Sequence, residues 1–126
     1  MLPAKKSVLV VEDTADIANL MTLALEMLGL EVLHASSAPK ALELLENKRP
    51  DLIVTDIGLP GMSGWQFLAS IKERCTAEQI AVIVTTAFND AEEHIADELQ
   101  NMAIHLGKPF QISELQRVVK EALKIA

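Results

Sequence analysis

Apolar residues occur in this chain with two spacings. The runs Ser7–Val11 (SVLVV), Asp51–Asp56 (DLIVTD) and Ile80–Thr85 (IAVIVT) are short, apolar and β-branched, the pattern of strands buried on both faces. Glu31–Ala35 (EVLHA) is less apolar and reads as an edge strand, and Met102–Leu106 reads as a short fifth strand. Between these runs the apolar residues recur at helical spacing. Ile17, Leu20, Met21, Ala24 and Leu28 form one stripe, with Thr14 as N-cap and Gly29 as stop. Ser37 caps a second helix through Ala41, Leu42 and Leu45, which ends before Pro50. Gly58-Leu59-Pro60-Gly61 is a loop, and a helix through Trp65, Leu68 and Ile71 starts near Ser63. Asn89 or Asp90 caps a fourth helix with Ala91, Ile95 and Leu99 on one side. A last helix, starting near Ser113, carries Ile112, Leu115, Val119 and Ala122 on one face.

Five strands alternating with five helices predict an α/β fold, a parallel sheet with helices on both faces. In such sheets ligands bind at the carboxyl ends of the strands. The chain has 126 residues, the length of one domain, taken as 1–126 with its core from about residue 5. Half of the residues are hydrophobic, enough for a core without disulfides or structural metal. The formal net charge of -7 and the scarcity of aromatics argue against direct nucleic-acid binding. Cys75 is the only cysteine, which excludes an internal disulfide and a Cys-based metal cluster and points to the reducing cytoplasm. The first residues hold no signal-peptide core, and no run nears the ~18 apolar residues of a membrane span.

The strand ends gather chemistry. Strand 1 ends in Glu12-Asp13, strand 3 in Asp56, strand 4 in Thr85-Thr86, and strand 5 in a turn bearing Lys108. Singly, each has a plain structural explanation: a solvated loop, a helix cap or a turn. Together, each at the end of a different strand, they predict one pocket of three carboxylates, a hydroxyl and an ammonium. Three close carboxylates repel one another, and a divalent cation with oxygen ligands relieves this. Mg²⁺ suits such a set, because it binds through one or two carboxylates, water and phosphate. Lys108 adds a positive charge for a phosphoryl group.

The pieces VLVVEDTADI, DLIVTDIGLPGMSG, IAVIVTTA and LGKPF, in this order, resemble the receiver domains of two-component response regulators, the chemotaxis-regulator fold. The resemblance runs from about Lys5 to Ala126. It implies a flavodoxin-like doubly wound (βα)5 sheet of strand order 2-1-3-4-5. It implies that Asp56 is the phosphoacceptor for a sensor histidine kinase or a phosphotransfer protein. Asp13 and Asp56 would ligate Mg²⁺ directly, Gly58 through its backbone carbonyl, and Glu12 through water. Thr86, which directly precedes the small Ala87, would be the switch hydroxyl. Lys108 would contact the phosphoryl group, and the Lys108-Pro109 bond would be cis. The domain would be a phosphoacceptor and not an enzyme in its own right. It would signal to a downstream effector domain or protein, and a weak homodimer would form through helix 4, strand 5 and helix 5.

Two departures alter expectations. The family's usual Tyr or Phe three residues before the lysine is here His105, a smaller and titratable switch ring. Gly58 and Phe88 occupy the positions that flank the approach of water to the acyl phosphate. Neither orients a water, so a long-lived phosphorylated state is expected. His34 and His94 read as ordinary surface or partly buried residues, and Trp65 as packing. The acids Asp90, Glu92, Glu93, Asp97 and Glu98 read as a solvated face or as a surface for a basic partner.

Three other functions compete. A flavodoxin-like FMN carrier needs an acid-poor phosphate loop after strand 1, where Glu12-Asp13 stands. A haloacid-dehalogenase-type phosphatase needs a second Asp at position 58, which is Gly. A phosphorylation-independent scaffold has no use for the retained acids, Thr86 and Lys108. No P-loop sequence occurs. The lack of a linker after the last helix slightly favours a stand-alone receiver, although a receiver cut from a larger regulator or hybrid kinase would look the same.

Overall fold

The computed structural model describes residues 5–87 and 101–125. The strands β1 (Ser7–Val11), β2 (Glu31–Ala35), β3 (Leu52–Asp56), β4 (Ala81–Thr86) and β5 (Ile104–Gly107) form one parallel sheet in the order β2-β1-β3-β4-β5. The described helices are α1 (Ala15–Glu26), α2 (Ala38–Asn47), α3 (Gly64–Glu78) and α4 (Ile112–Leu123). The sequence-predicted fourth helix, with its five acids and His94, lies outside the described residues, as does Phe88.

Alternation along the strands sorts the core into two layers. Leu9, Val11, Ile53, Val82 and Val84 face one way and meet α2 and α3 through Ala41, Leu45, Phe67, Leu68 and Ile71. Val8, Val10, Leu52, Val54 and Ile83 face the other way and meet α1 and α4 through Met21, Leu25, Leu115 and Val119. Each central strand is thus apolar on both sides, which is why its sequence runs without polar interruption. Cys75 lies buried in the first layer, and burial pushes its thiol up to about 11, so it is an inert core residue.

The helical faces differ in detail from the periodicity. In α1 the buried residues are Ala18, Met21, Ala24 and Leu25, whereas Leu20 and Leu23 are 48% and 61% exposed. Leucines on several sides of α1 made the stripe ambiguous, and packing against α4 and the sheet chose among them. In α4 Val118 and Leu123 join Leu115 and Val119 inside, while Ile112 is exposed. Its N-cap is Gln111, which forms a reciprocal capping box with Glu114, and Ser113 lies inside the helix. β5 starts two residues later and ends one residue later than its apolar pattern suggested, and Met102 and Ala103 pack against the core as its approach. Gly29 does end the α1 segment, with φ +80° in the left-handed region that glycine enters without a Cβ clash.

The register aligns the strand ends. Val11 pairs with Ala35 and Thr55, Asp56 with Thr85, and Thr86 with Gly107. The residues that follow β1, close β3 and β4 and follow β5 therefore share one edge of the sheet.

Candidate functional site

The buried polar and charged residues among those described are Glu12, Thr55, Asp56 and Thr85, and all four stand at this carboxyl edge. Glu12 is 1% exposed and Asp56 8%, while Asp13 is exposed. Carboxylate oxygens of Glu12, Asp13 and Asp56 lie within 4.8 Å of one another. Lys108 reaches into this group. Its Nζ donates to Glu12 Oε1 at 3.0 Å and stands 3.2 Å from Asp56 Oδ2. The turn after β5 brings the lysine there: Lys108 N donates to the Thr86 carbonyl at 2.7 Å, and the Lys108-Pro109 peptide is cis, as the resemblance implied.

The main chain holds the other acceptors. Gly58 N donates to Asp56 Oδ1 at 3.1 Å. Thr14 N donates to Glu12 Oε2 at 3.3 Å; the expected Thr14 side-chain cap is absent, and the Thr14 N–H serves the pocket. Burial raises the Glu12 pKa, and the Lys108 hydrogen bond and charge only partly oppose it. Burial works against the charge of Lys108, but its hydrogen bond to Glu12 and the charges of Asp56 and Glu12 outweigh it and raise the Lys108 pKa. The pocket thus carries three acids against one ammonium, in a partly buried setting with oxygen donors throughout. That donor set fits a hard divalent cation, and the surplus negative charge favours one.

The site residues inferred from the sequence fall as follows. Glu12, Asp13, Asp56 and Lys108 meet. Gly58 sits two residues beyond Asp56, exposed, with its N–H on that carboxylate. Thr86 is half-buried at the end of β4. His105 is exposed on the edge strand β5, and its ring stands 5.7 Å from that of buried Trp65, tilted by 45°. It is in register with Val84, on the side of the sheet that α3 covers, and Trp65 is core packing that also meets this ring.

Two residues were missed. Gly64 opens α3, and a Cβ there would stand 2.3 Å from the Asp56 carbonyl oxygen and 2.8 Å from Ile57 Cα. Only glycine lets α3 start so close behind the Asp56 main chain. A glycine at the first helical turn, where it has no propensity advantage, was the available signal. His34 is no idle surface residue: its Nε2 lies 2.9 Å from the Glu12 carbonyl oxygen. No local pattern announces that contact.

The family model described as response regulator receiver domain matches residues 8–120. The chain is 29% identical over 120 residues to sporulation initiation phosphotransferase F of Bacillus subtilis, covering 95% of each. It is 32% identical over 119 residues to the phosphate regulon transcriptional regulatory protein of Pseudomonas aeruginosa, covering 94% of this chain and 52% of that one. The chain therefore spans nearly all of the first relative and about half of the second. A crystal structure of a response regulator receiver domain protein from Clostridium thermocellum superposes with a TM-score of 0.82 at 30% identity, covering 94% of each chain. With the strand order, the acidic edge and the lysine turn in place, the chain belongs to the response regulator receiver domain family.

Proposed function

We propose that this domain accepts a phosphoryl group on Asp56 from a phosphohistidine of a sensor kinase or phosphotransfer protein. The observation that carries the reading is Lys108 Nζ set between Glu12 and Asp56, beside Asp13, at the carboxyl edge. An Asp56 carboxylate oxygen attacks phosphorus, the P–N bond to the donor imidazole breaks, and an acyl phosphate forms. Phosphoryl transfer asks mainly for positioning and charge neutralisation. The Gly58 N–H on Oδ1 orients the nucleophile. Asp13, Asp56, the Gly58 carbonyl and, through water, Glu12 would hold Mg²⁺, which when bound supplies positive charge against the phosphoryl oxygens.

Phosphorylation replaces one negative charge at Asp56 by about two and adds acceptor oxygens. Lys108, already 3.2 Å from Asp56, turns its ion pair to those oxygens. Thr86 donates to them from the end of β4, and its movement is passed to β5 through the bond between its carbonyl and Lys108 N. His105, against Trp65, is the ring on the output side of that path. Gly58 brings no side chain to orient an attacking water, which supports a long-lived phosphorylated state. The domain acts as a phosphoacceptor in the cytoplasm, not as a multiple-turnover enzyme, and signals to an effector domain or protein. Among the described residues no helix is long and apolar enough to cross a membrane.

The test is labelling by acetyl phosphate with and without Mg²⁺. Wild type should label only with the metal, and Asp56→Asn should not label at all. Label at the wild-type level on Asp56→Asn, or without metal, would overturn the assignment.

A further inference from the structure

The loop after β1 is held from the side by the edge strand β2. The β1–β2 ladder ends at the pair Val11 and Ala35, yet β2 continues to grip the next residue. Glu12 N donates to the Ala35 carbonyl at 3.1 Å, and the Glu12 carbonyl meets His34 Nε2 at 2.9 Å. Both peptide units that flank Glu12 are thus tied to two neighbouring residues of β2. One tie is main chain and available to any sequence. The other is a side chain 22 residues away in sequence, on an exposed position of an edge strand.

We propose that His34 is a positioning residue for the acidic pocket, acting through the peptide that joins Glu12 to Asp13. The proposal rests on the reading of that pocket as the metal and phosphoryl site. The carbonyl can only accept, so Nε2 carries the proton and donates. It does so in the neutral Nε2–H tautomer and in the imidazolium alike. A peptide unit is planar, so fixing the Glu12 oxygen fixes the direction in which the Asp13 N–H and Cα leave. Asp13 is exposed, and its main chain sets where its carboxylate lies relative to Asp56. Glu12 differs, since its buried carboxylate is gripped by Lys108 and the Thr14 N–H. The tether therefore governs Asp13 more than Glu12. Supporting bonds behind metal ligands tune affinity in this manner.

The experiment compares wild type, His34→Ala and His34→Gln, the last of which restores an N–H donor at similar reach. Mg²⁺ is titrated with the fluorescence of Trp65, the single tryptophan, as readout. Hydrogen exchange of the Glu12 and Thr14 amides is followed in metal-free protein, with the Ile53 amide in β3 as the reference for global opening. His34→Ala should bind Mg²⁺ about 2- to 10-fold more weakly, the worth of one ordinary hydrogen bond. Its Glu12 and Thr14 amides should exchange faster while Ile53 is unchanged, and His34→Gln should recover most of both. Wild-type affinity and wild-type exchange in His34→Ala, or a loss that His34→Gln shares in full, overturns the tether. A wild type that takes up no Mg²⁺, by titration calorimetry as well as by fluorescence, overturns the metal reading instead, and the exchange arm, run without metal, then judges the tether alone.

Discussion

The middle of the sheet and its carboxyl edge are built from the same strands, a few residues apart, and obey opposite rules. In the middle, Val8, Leu9, Val10, Leu52, Ile53, Val54 and Ile83 are fully buried and apolar. At the edge, Glu12, Thr55, Asp56 and Thr85 are buried and polar. The middle is stabilised by removal of apolar surface from water. The edge gathers like charges that the fold would be more stable without, and Lys108 offsets only part of their repulsion. Stability is supplied a few residues away from where chemistry is placed, so the two can vary separately.

Substitutions in the two regions should therefore have opposite signs. Phe67→Ala, in the layer beneath α3, should destabilise by about 3–5 kcal/mol in a denaturant titration. Gly64→Ala joins the regions, because its Cβ collides with the Asp56 main chain. It should cost roughly 1–3 kcal/mol, the usual range for overpacking, and should also slow labelling of Asp56. Loss of stability with labelling intact would show that α3 can retreat without moving the nucleophile.

Asp13→Asn carries the comparison further. In metal-free buffer it should raise stability by roughly 0.3–1 kcal/mol, since it removes one member of the acidic group at an exposed position. Mg²⁺ should stabilise wild type and have much less effect on the variant. A variant less stable than wild type without metal would break the contrast between the two regions.

The pH dependence sharpens it. The Lys108 pKa is raised in the folded protein from its ordinary 10.5, so its pairing contributes stability fully present below that value. The contribution is lost as pH rises through the higher folded value. Wild type should thus lose more stability than Lys108→Met on going above pH 10.5, as read by thermal melting. Parallel curves for the two proteins would mean that the ion pairs carry no net stability.

The smallest effect is expected at His105. It is exposed, and its ring stands beside that of Trp65. His105→Phe keeps a ring there and should leave stability within about 0.5 kcal/mol of wild type, as surface changes usually do. Binding of a partner by the phosphorylated form is where the ring should matter. A large stability change would make His105 part of the core layer and not of the output face.

Local pattern was enough to read the order of the described elements, the parallel class and the acids at the strand ends. Runs such as VLVV and LIVT report burial on both faces, and the first polar residue after each run marks the edge. The same pattern found most of the buried face of α1 but put the exposed Leu20 on it and left out the buried Leu25, because the two are equally apolar and only neighbours distinguish them. It was silent on Gly64, whose need for no side chain arises from a main chain eight residues earlier that folds back against it. Lys108 lies 96 residues from Glu12, and His34 lies 22 from it. A hydropathy pattern records which side of an element meets water. It holds no record of which distant residue stands opposite, because register and the packing of helices on the sheet set that pairing only once the whole chain is in place.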